Sequence, residues 1–190
     1  MRKIIILLVC AAIVLAATAE ILRNGASSDR GTTKIHPATD AINDVTISSP
    51  TFAKNSPIPL QFTCDGEDIN PELHFEGVPG RAKSLALIME DPDAPGGTFT
   101  HWLVWNIDPA TTMLGEGARI EGATQGINSA GKTGYIGPCP PSGIHHYHFK
   151  LYALDAMLDL SPRAGKGRLE EEIGKHLITF AEIVGVYQRK

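Results

Sequence analysis

The stretch SLALIMEDPDAPGGTFTHWLVWNI, residues 84–107, decides how the chain is read. SLALIME and WLVWNI are short and almost wholly apolar, as expected of strands covered on both faces. Between them, Asp91-Pro92-Asp93 leads into Pro95-Gly96-Gly97, which is turn chemistry. One strand therefore ends in two carboxylates at a rim, and the next begins by returning His101 to that rim. A carboxylate beside an imidazole orients the ring and favours its protonated form. An Asx-Pro turn with a satisfied histidine explains this segment equally well, so the segment alone leaves both readings open.

Working outward, the same texture recurs from Val45 onward. VTISS, PIPLQFT, ELHFEGV, HHYHFKLYAL and AEIVGVYQ are strand-like runs separated by Pro, Gly, Asn and Asp clusters. Many short strands with turn signals between them predict a sandwich or barrel. One segment breaks the pattern. From Gly167 to about Ile178, Leu169, Ile173, His176 and Leu177 recur at helical spacing opposite Glu170, Glu171 and Lys175, with the acidic residues placed early to suit the helix dipole. The expected fold is mainly β, a two-sheet antiparallel β-sandwich with one or two short helices near the C-terminus.

The 190 residues, 43% hydrophobic and 20% charged, fit one globular domain. Arg2 and Lys3 precede an uncharged apolar run, Ile4 to Ala17, that closes on Ala17-Thr18-Ala19. This is the pattern of a secretory signal peptide cleaved after Ala19, and the run is shorter than the about 20 apolar residues of a membrane-spanning helix. Residues 20–43 read as a flexible spacer and residues 44–190 as the folded domain, secreted or periplasmic after cleavage. Losing Arg2 and Lys3 changes the net charge from −4 to −6, with 15 basic against 21 acidic residues. That balance disfavours nucleic acid as a partner. Cys10 lies within the apolar run. Cys64 and Cys139 remain, an even count that permits a disulfide in an oxidising compartment and equally permits two free thiols.

GINSAGKT, residues 126–133, matches the phosphate-cradling pattern G-x-x-x-x-G-K-[ST]. That pattern binds nucleotide only where a buried strand enters the loop and a helix leaves it. Here Gly134-Tyr135-Ile136-Gly137-Pro138-Cys139-Pro140-Pro141 follows, through which no helix runs, so a glycine-rich surface loop is expected and no nucleotide.

The second informative segment is GYIGPCPPSGIHHYHFKLYALD, residues 134–155. Its Gly-Pro-Cys-Pro-Pro loop is stiff, and the strand after it begins His145-His146-Tyr147-His148. Alternation sends His145 and Tyr147 to one face and His146 and His148 to the other. Three histidines in four residues therefore cannot reach one ion without a bulge. His146 and His148 could form a two-histidine half-site, but no third ligand is evident and no metal is expected. Ser142 near His145 raises a hydrolase reading. The chain has no G-x-S-x-G elbow, however, and a serine after two prolines is a turn residue more often than a nucleophile. No catalytic residue is therefore assigned, and no enzyme activity or cofactor is expected.

These segments resemble the phosphatidylethanolamine-binding family. The likeness rests on DPDAP (Asp91 to Pro95), His101-Trp102, G-x-x-P-P (Gly137 to Pro141) and H-x-Y (His145, Tyr147). FTCDGEDINPEL, GVPGRAKSLALIMEDPDAP, GKTGYIGPCPPSG and FKLYALD extend it to the family's bacterial and archaeal YbhB/YbcL-like branch. The resemblance implies two antiparallel sheets with an anion pocket at one end, lined by Asp91, Asp93, His101, Gly137, Pro141, His145 and Tyr147. It implies as ligand a small anion or phospholipid headgroup such as phosphate or phosphoethanolamine, and by family precedent a protein partner that the surface inhibits, a kinase or protease. The histidines, the Tyr147 hydroxyl and backbone N–H groups near Gly137 would supply donors to the anion. The aspartates would orient histidine or accept from an ammonium group. Two departures stand out: His146 occupies a position where the family often has Arg, and the sequence ends soon after its final strand without the longer C-terminal helix of the animal members.

Overall fold

The structure is a computed structural model that describes residues 44–118 and 120–189. The leader and spacer expected over residues 1–43 lie outside the described residues. Nine strands are described: β1 (Thr46–Ser48), β2 (Ser56–Pro57), β3 (Leu73–Glu76), β4 (Ser84–Asp91), β5 (Phe99–Ile107), β6 (Met113–Leu114), β7 (Thr124–Gln125), β8 (His145–Leu154) and β9 (Leu177–Tyr187). They form a three-stranded sheet, ordered β1-β3-β6, and a six-stranded sheet, ordered β2-β9-β8-β4-β5-β7. All pairings are antiparallel except the two-residue contact of β2 with β9, which is parallel.

Every residue of β4 is buried, as its unbroken apolar run requires. Leu85, Leu87 and Met89 face the small sheet, where they meet Phe75, Trp102, Tyr147, Phe149 and Leu151. Ala86 and Ile88 face the other way and pack with Leu103, Trp105, Leu154, Leu169 and Ile173. The last two residues belong to the helix α1 (Lys166–His176), and burying each contributes about 2 kcal/mol. The large sheet is thus the middle layer between the small sheet and one helix.

Three expectations need correction. The helix ends at His176, and Leu177 and Ile178 open β9 instead, because β-branched Ile178 and Thr179 suit a strand paired with β8. No acidic residue lies in its first turn; Glu171 and Glu172 pair with Arg168 and Lys175 further along. PIPLQFT forms only the end of β2 and a single 3₁₀ turn, Leu60–Phe62, because Pro57 and Pro59 remove ladder donors.

Two bulges in β5 set the geometry of the hairpin. Leu85 lies opposite Ile107 while Leu87 lies opposite Val104, so β5 carries one extra residue there. Asn106 adopts a positive φ of 60° within this bulge, and its side chain bonds both the carbonyl and the N–H of Leu158. The second bulge falls where Met89 opposes Trp102 but Glu90 opposes Thr100, leaving His101 unopposed. Strict alternation back from Leu103 and Trp105 would place His101 under the helix. The bulge turns it to the opposite face, shared with Phe99 and Trp102, which is the re-aiming that bulges perform.

Candidate functional site

Where β4, β5 and β8 meet at one end of the large sheet, a cavity of about 170 Å³ opens. Asp91, Phe99, His101 and His145 line one side. Ile136, Gly137, Cys139, Pro140 and Pro141 line the other. Asp91 is the last residue of β4 and His145 the first of β8, so the antiparallel ladder delivers both to the same rim.

His145 donates from Nδ1–H to Asp91 Oδ2 at 2.7 Å, with both side chains less than a tenth exposed. The other oxygen, Oδ1, accepts the Asp93 N–H at 2.9 Å and so fixes the turn after β4. Because a carboxylate only accepts, the proton on His145 sits on Nδ1. His101 is tied in the same way, donating from Nδ1–H to the Ile136 carbonyl at 2.7 Å. Ile136 returns a backbone bond from its N–H to the His101 carbonyl at 3.2 Å. Burial is the largest influence on His101 and pushes its pKa below the ordinary imidazole value. The Ile136 carbonyl and the Asp91 and Asp68 carboxylates oppose that shift without reversing it, and His145 reinforces it. His101 is therefore neutral at pH 7, with a bare lone pair on Nε2.

Tyr147 lies beneath the two rings. It meets His101 edge-on at 5.2 Å between centroids and stacks on His145 at 6.5 Å. Among the described residues, its buried hydroxyl meets the geometry of a hydrogen bond with no partner. Burial first, and then the Asp91 carboxylate, push the phenol far above its ordinary pKa, so it stays protonated.

The opposite wall is held from a distant part of the chain. Asp68 Oδ1 accepts the Gly137 N–H. The Pro138 carbonyl accepts the Cys64 N–H at 3.1 Å, and Tyr135 donates its hydroxyl to the Phe62 carbonyl at 2.7 Å. Cys64 and Cys139 form a disulfide, which resolves the pairing that the sequence left open. Gly137 has no space for a side chain: a Cβ there would lie 2.6 Å from the Phe62 carbonyl oxygen and 2.8 Å from Thr63 Cα.

This geometry coincides with a family assignment. Residues 48–188 match the family model for phosphatidylethanolamine-binding protein. The chain belongs to that family. Within it, the YbhB/YbcL-like branch is the one it resembles throughout. A UPF0098 protein of Methanothermobacter thermautotrophicus is 50% identical over 143 residues, 73% of this chain and 95% of that protein. A UPF0098 protein of Pyrococcus horikoshii is 49% identical over 151 residues, 75% of this chain and 76% of that one. Among solved structures, the phosphatidylethanolamine-binding protein homologue CT736 of Chlamydia trachomatis superposes with a TM-score of 0.76 at 42% identity, covering 78% of this chain and 99% of CT736. Escherichia coli YbcL superposes with a TM-score of 0.73 at 31% identity, covering 77% of this chain and 99% of YbcL.

Of the residues this phosphatidylethanolamine-binding family member was expected to bring together, Asp91, His101, Gly137, Pro141 and His145 line the cavity. Asp93 does not. It lies exposed at the rim, where its carboxylate accepts both the backbone N–H and the Nδ1–H of His146, each at 2.8 Å. Those bonds hold the Asp93 carboxyl below its ordinary pKa. Tyr147 supports the histidines rather than lining the cavity. Of the backbone donors expected near Gly137, the Gly137 N–H itself is already taken by Asp68. His146 and His148 do not converge: His148 pairs with Glu182 at 2.8 Å. Among the described residues, no group of three His, Cys, Asp or Glu is arranged to hold a metal ion.

The GINSAGKT loop is closed by a single bridge between Ile127 and Thr133 and no helix leaves it. Sequence reasoning missed Phe99 and Asp68. Phe99 was readable as the i−2 neighbour of His101 on one strand face, and its ring sits 4.8 Å from that histidine. Asp68 reaches the site across 69 residues of chain, and no local signal announces it.

Proposed function

We propose that this protein is an exported binding module that takes a phosphate or phosphate-monoester group, such as the phosphoethanolamine headgroup, between His101 and His145, and that it acts by binding rather than by turnover. The observation that carries this reading is that both imidazoles are tied back through Nδ1 while each is left a second ring nitrogen for a ligand. A phosphate oxygen can share a proton with such a nitrogen, either by donating P–OH to the bare Nε2 or by accepting from the protonated ring. The cavity lining holds no serine, threonine or free thiol to act as nucleophile. The volume of about 170 Å³ suits a headgroup and not a diacyl lipid.

Proton sharing determines the ligand's charge state. Asp91 already places one negative charge at the back of the cavity, so a dianion enters favourably only together with a proton. The second pKa of a phosphate monoester is about 6, which puts that proton within reach at neutral pH. Export is supported by the apolar N-terminal run and by a disulfide of the kind that persists in oxidising compartments.

Calorimetric titration of residues 20–190 with phosphate and with phosphoethanolamine tests this reading. Saturable heat that a His101→Ala, His145→Ala double variant loses supports it. Binding that survives in the double variant sinks it.

A further inference from the structure

The wall opposite the histidines carries information that the proposed binding reaction does not use. From Cys139 to Ile144 the chain makes no hydrogen bond to the rest of the described protein. Pro140 and Pro141 have no N–H to give, and Ser142, Gly143 and Ile144 are exposed. Yet this stretch contributes Cys139, Pro140 and Pro141 to the cavity. It is anchored at one end by Gly137 and Pro138 and at the other by the start of β8. Between those anchors Pro140 is buried by packing, and the covalent tie to the body of the protein is the bond from Cys139 to Cys64. Cys139 is itself exposed, so a dithiol can reach it.

Resting on the binding function above, we propose that the Cys64–Cys139 disulfide gates the cavity: intact, it holds the 139–141 part of the wall over the cavity, and its reduction frees that part and releases the ligand. In the reduction, the S–S bond accepts two electrons and two protons from a dithiol, which leaves as its own disulfide, and Cys64 and Cys139 become thiols. The segment between the anchors then holds few local interactions and opens at low cost, as weakly tethered loops do. Opening reaches the ligand groups by uncovering the cavity that Cys139, Pro140 and Pro141 wall off. Burial is the largest influence on His101, so uncovering the cavity acts most on that ring, whereas the Nδ1 bonds of His101 to Ile136 and of His145 to Asp91 lie behind the anchors at Gly137, Pro138 and β8. Reduction should therefore expose His101 and leave His145 bonded to Asp91. A chain exported as proposed would thus carry an incompetent site until oxidation outside the reducing cytosol completes it.

The test compares oxidised protein, dithiothreitol-reduced protein and a Cys64→Ala, Cys139→Ala variant, using imidazole NMR together with phosphate calorimetry. The expected result is that the His101 resonances shift and its titration midpoint rises toward the ordinary histidine value on reduction, while the His145 resonances stay. Phosphate affinity should fall at least about tenfold with loss of the preorganised wall. Unchanged His101 resonances in the reduced protein overturn the gate, whatever phosphate does. Collapse of the His145 signals as well also overturns it, because the disulfide is then a staple of the whole fold. If the oxidised protein binds neither phosphate nor phosphoethanolamine, the binding function fails, and the gate stands or falls on His101 alone.

Discussion

The Nδ1–H of His145 donates to Asp91 Oδ2 at 2.7 Å across the β4–β8 ladder, with both groups withdrawn from solvent. Removing one partner of a buried pair strands the other. Asp91→Ala should destabilise the protein by about 3 kcal/mol. Asp91→Asn keeps an acceptor for Nδ1–H and should cost less than half of that. Urea denaturation of both variants checks the order; equal costs would mean that the charge, not the hydrogen bond, carries the interaction.

Burial sets a pH dependence through His101. Its folded pKa lies below the unfolded value near 6.5, so the unfolded chain binds the proton first as pH falls. The contribution is absent above pH 6.5, and stability is lost progressively as pH drops from there through the folded pKa. Wild type should therefore lose more stability between pH 7 and 5 than a His101→Phe variant. Parallel pH profiles for the two proteins would contradict the assigned burial effect.

Gly137 tests the packing of the wall. A Cβ there meets backbone atoms of Phe62 and Thr63, which cannot rotate away as a flexible side chain would. Gly137→Ala should cost about 1 to 3 kcal/mol, the range for overpacking. It should also weaken phosphate binding, because Gly137 lines the cavity. Thermal unfolding and phosphate titration of one variant read both effects.

Proton linkage makes a separate claim about binding. If phosphate enters with a proton shared at His101 Nε2, the complex takes up protons from buffer when the dianion is the free species. Affinity should fall as pH rises from 6 to 8. The apparent binding enthalpy should then vary with the ionisation enthalpy of the buffer. Enthalpies independent of buffer would show that no proton moves.

The sequence carried much of this architecture because the decisive signals are local. SLALIME and WLVWNI announced strands buried on two faces, and alternation from His145 correctly separated the buried His145 and Tyr147 from the outward His146 and His148. Leu169 and Ile173 marked the buried side of the helix. What stayed hidden depends on register or on distance along the chain. The bulge that leaves His101 unopposed by β4 follows from strand pairing, which a single strand does not encode. Asp68 takes the Gly137 N–H from 69 residues away, so one of the backbone donors expected near that glycine could not be seen as already engaged. Cys64 and Cys139 illustrate the same point, since their count permitted a bond but only their Cα separation of 5.4 Å makes one.

The central claim, that a phosphate group sits between His101 and His145, is tested most directly by nitrogen-detected NMR of the two imidazoles during phosphate titration of the oxidised protein. The account predicts saturable shifts at Nε2 of both rings, with His101 Nε2 moving from a bare to a proton-bearing nitrogen and the Nδ1 signals little changed. Shifts confined to His74, His148 or His176, with both cavity rings silent at saturating phosphate, would contradict it.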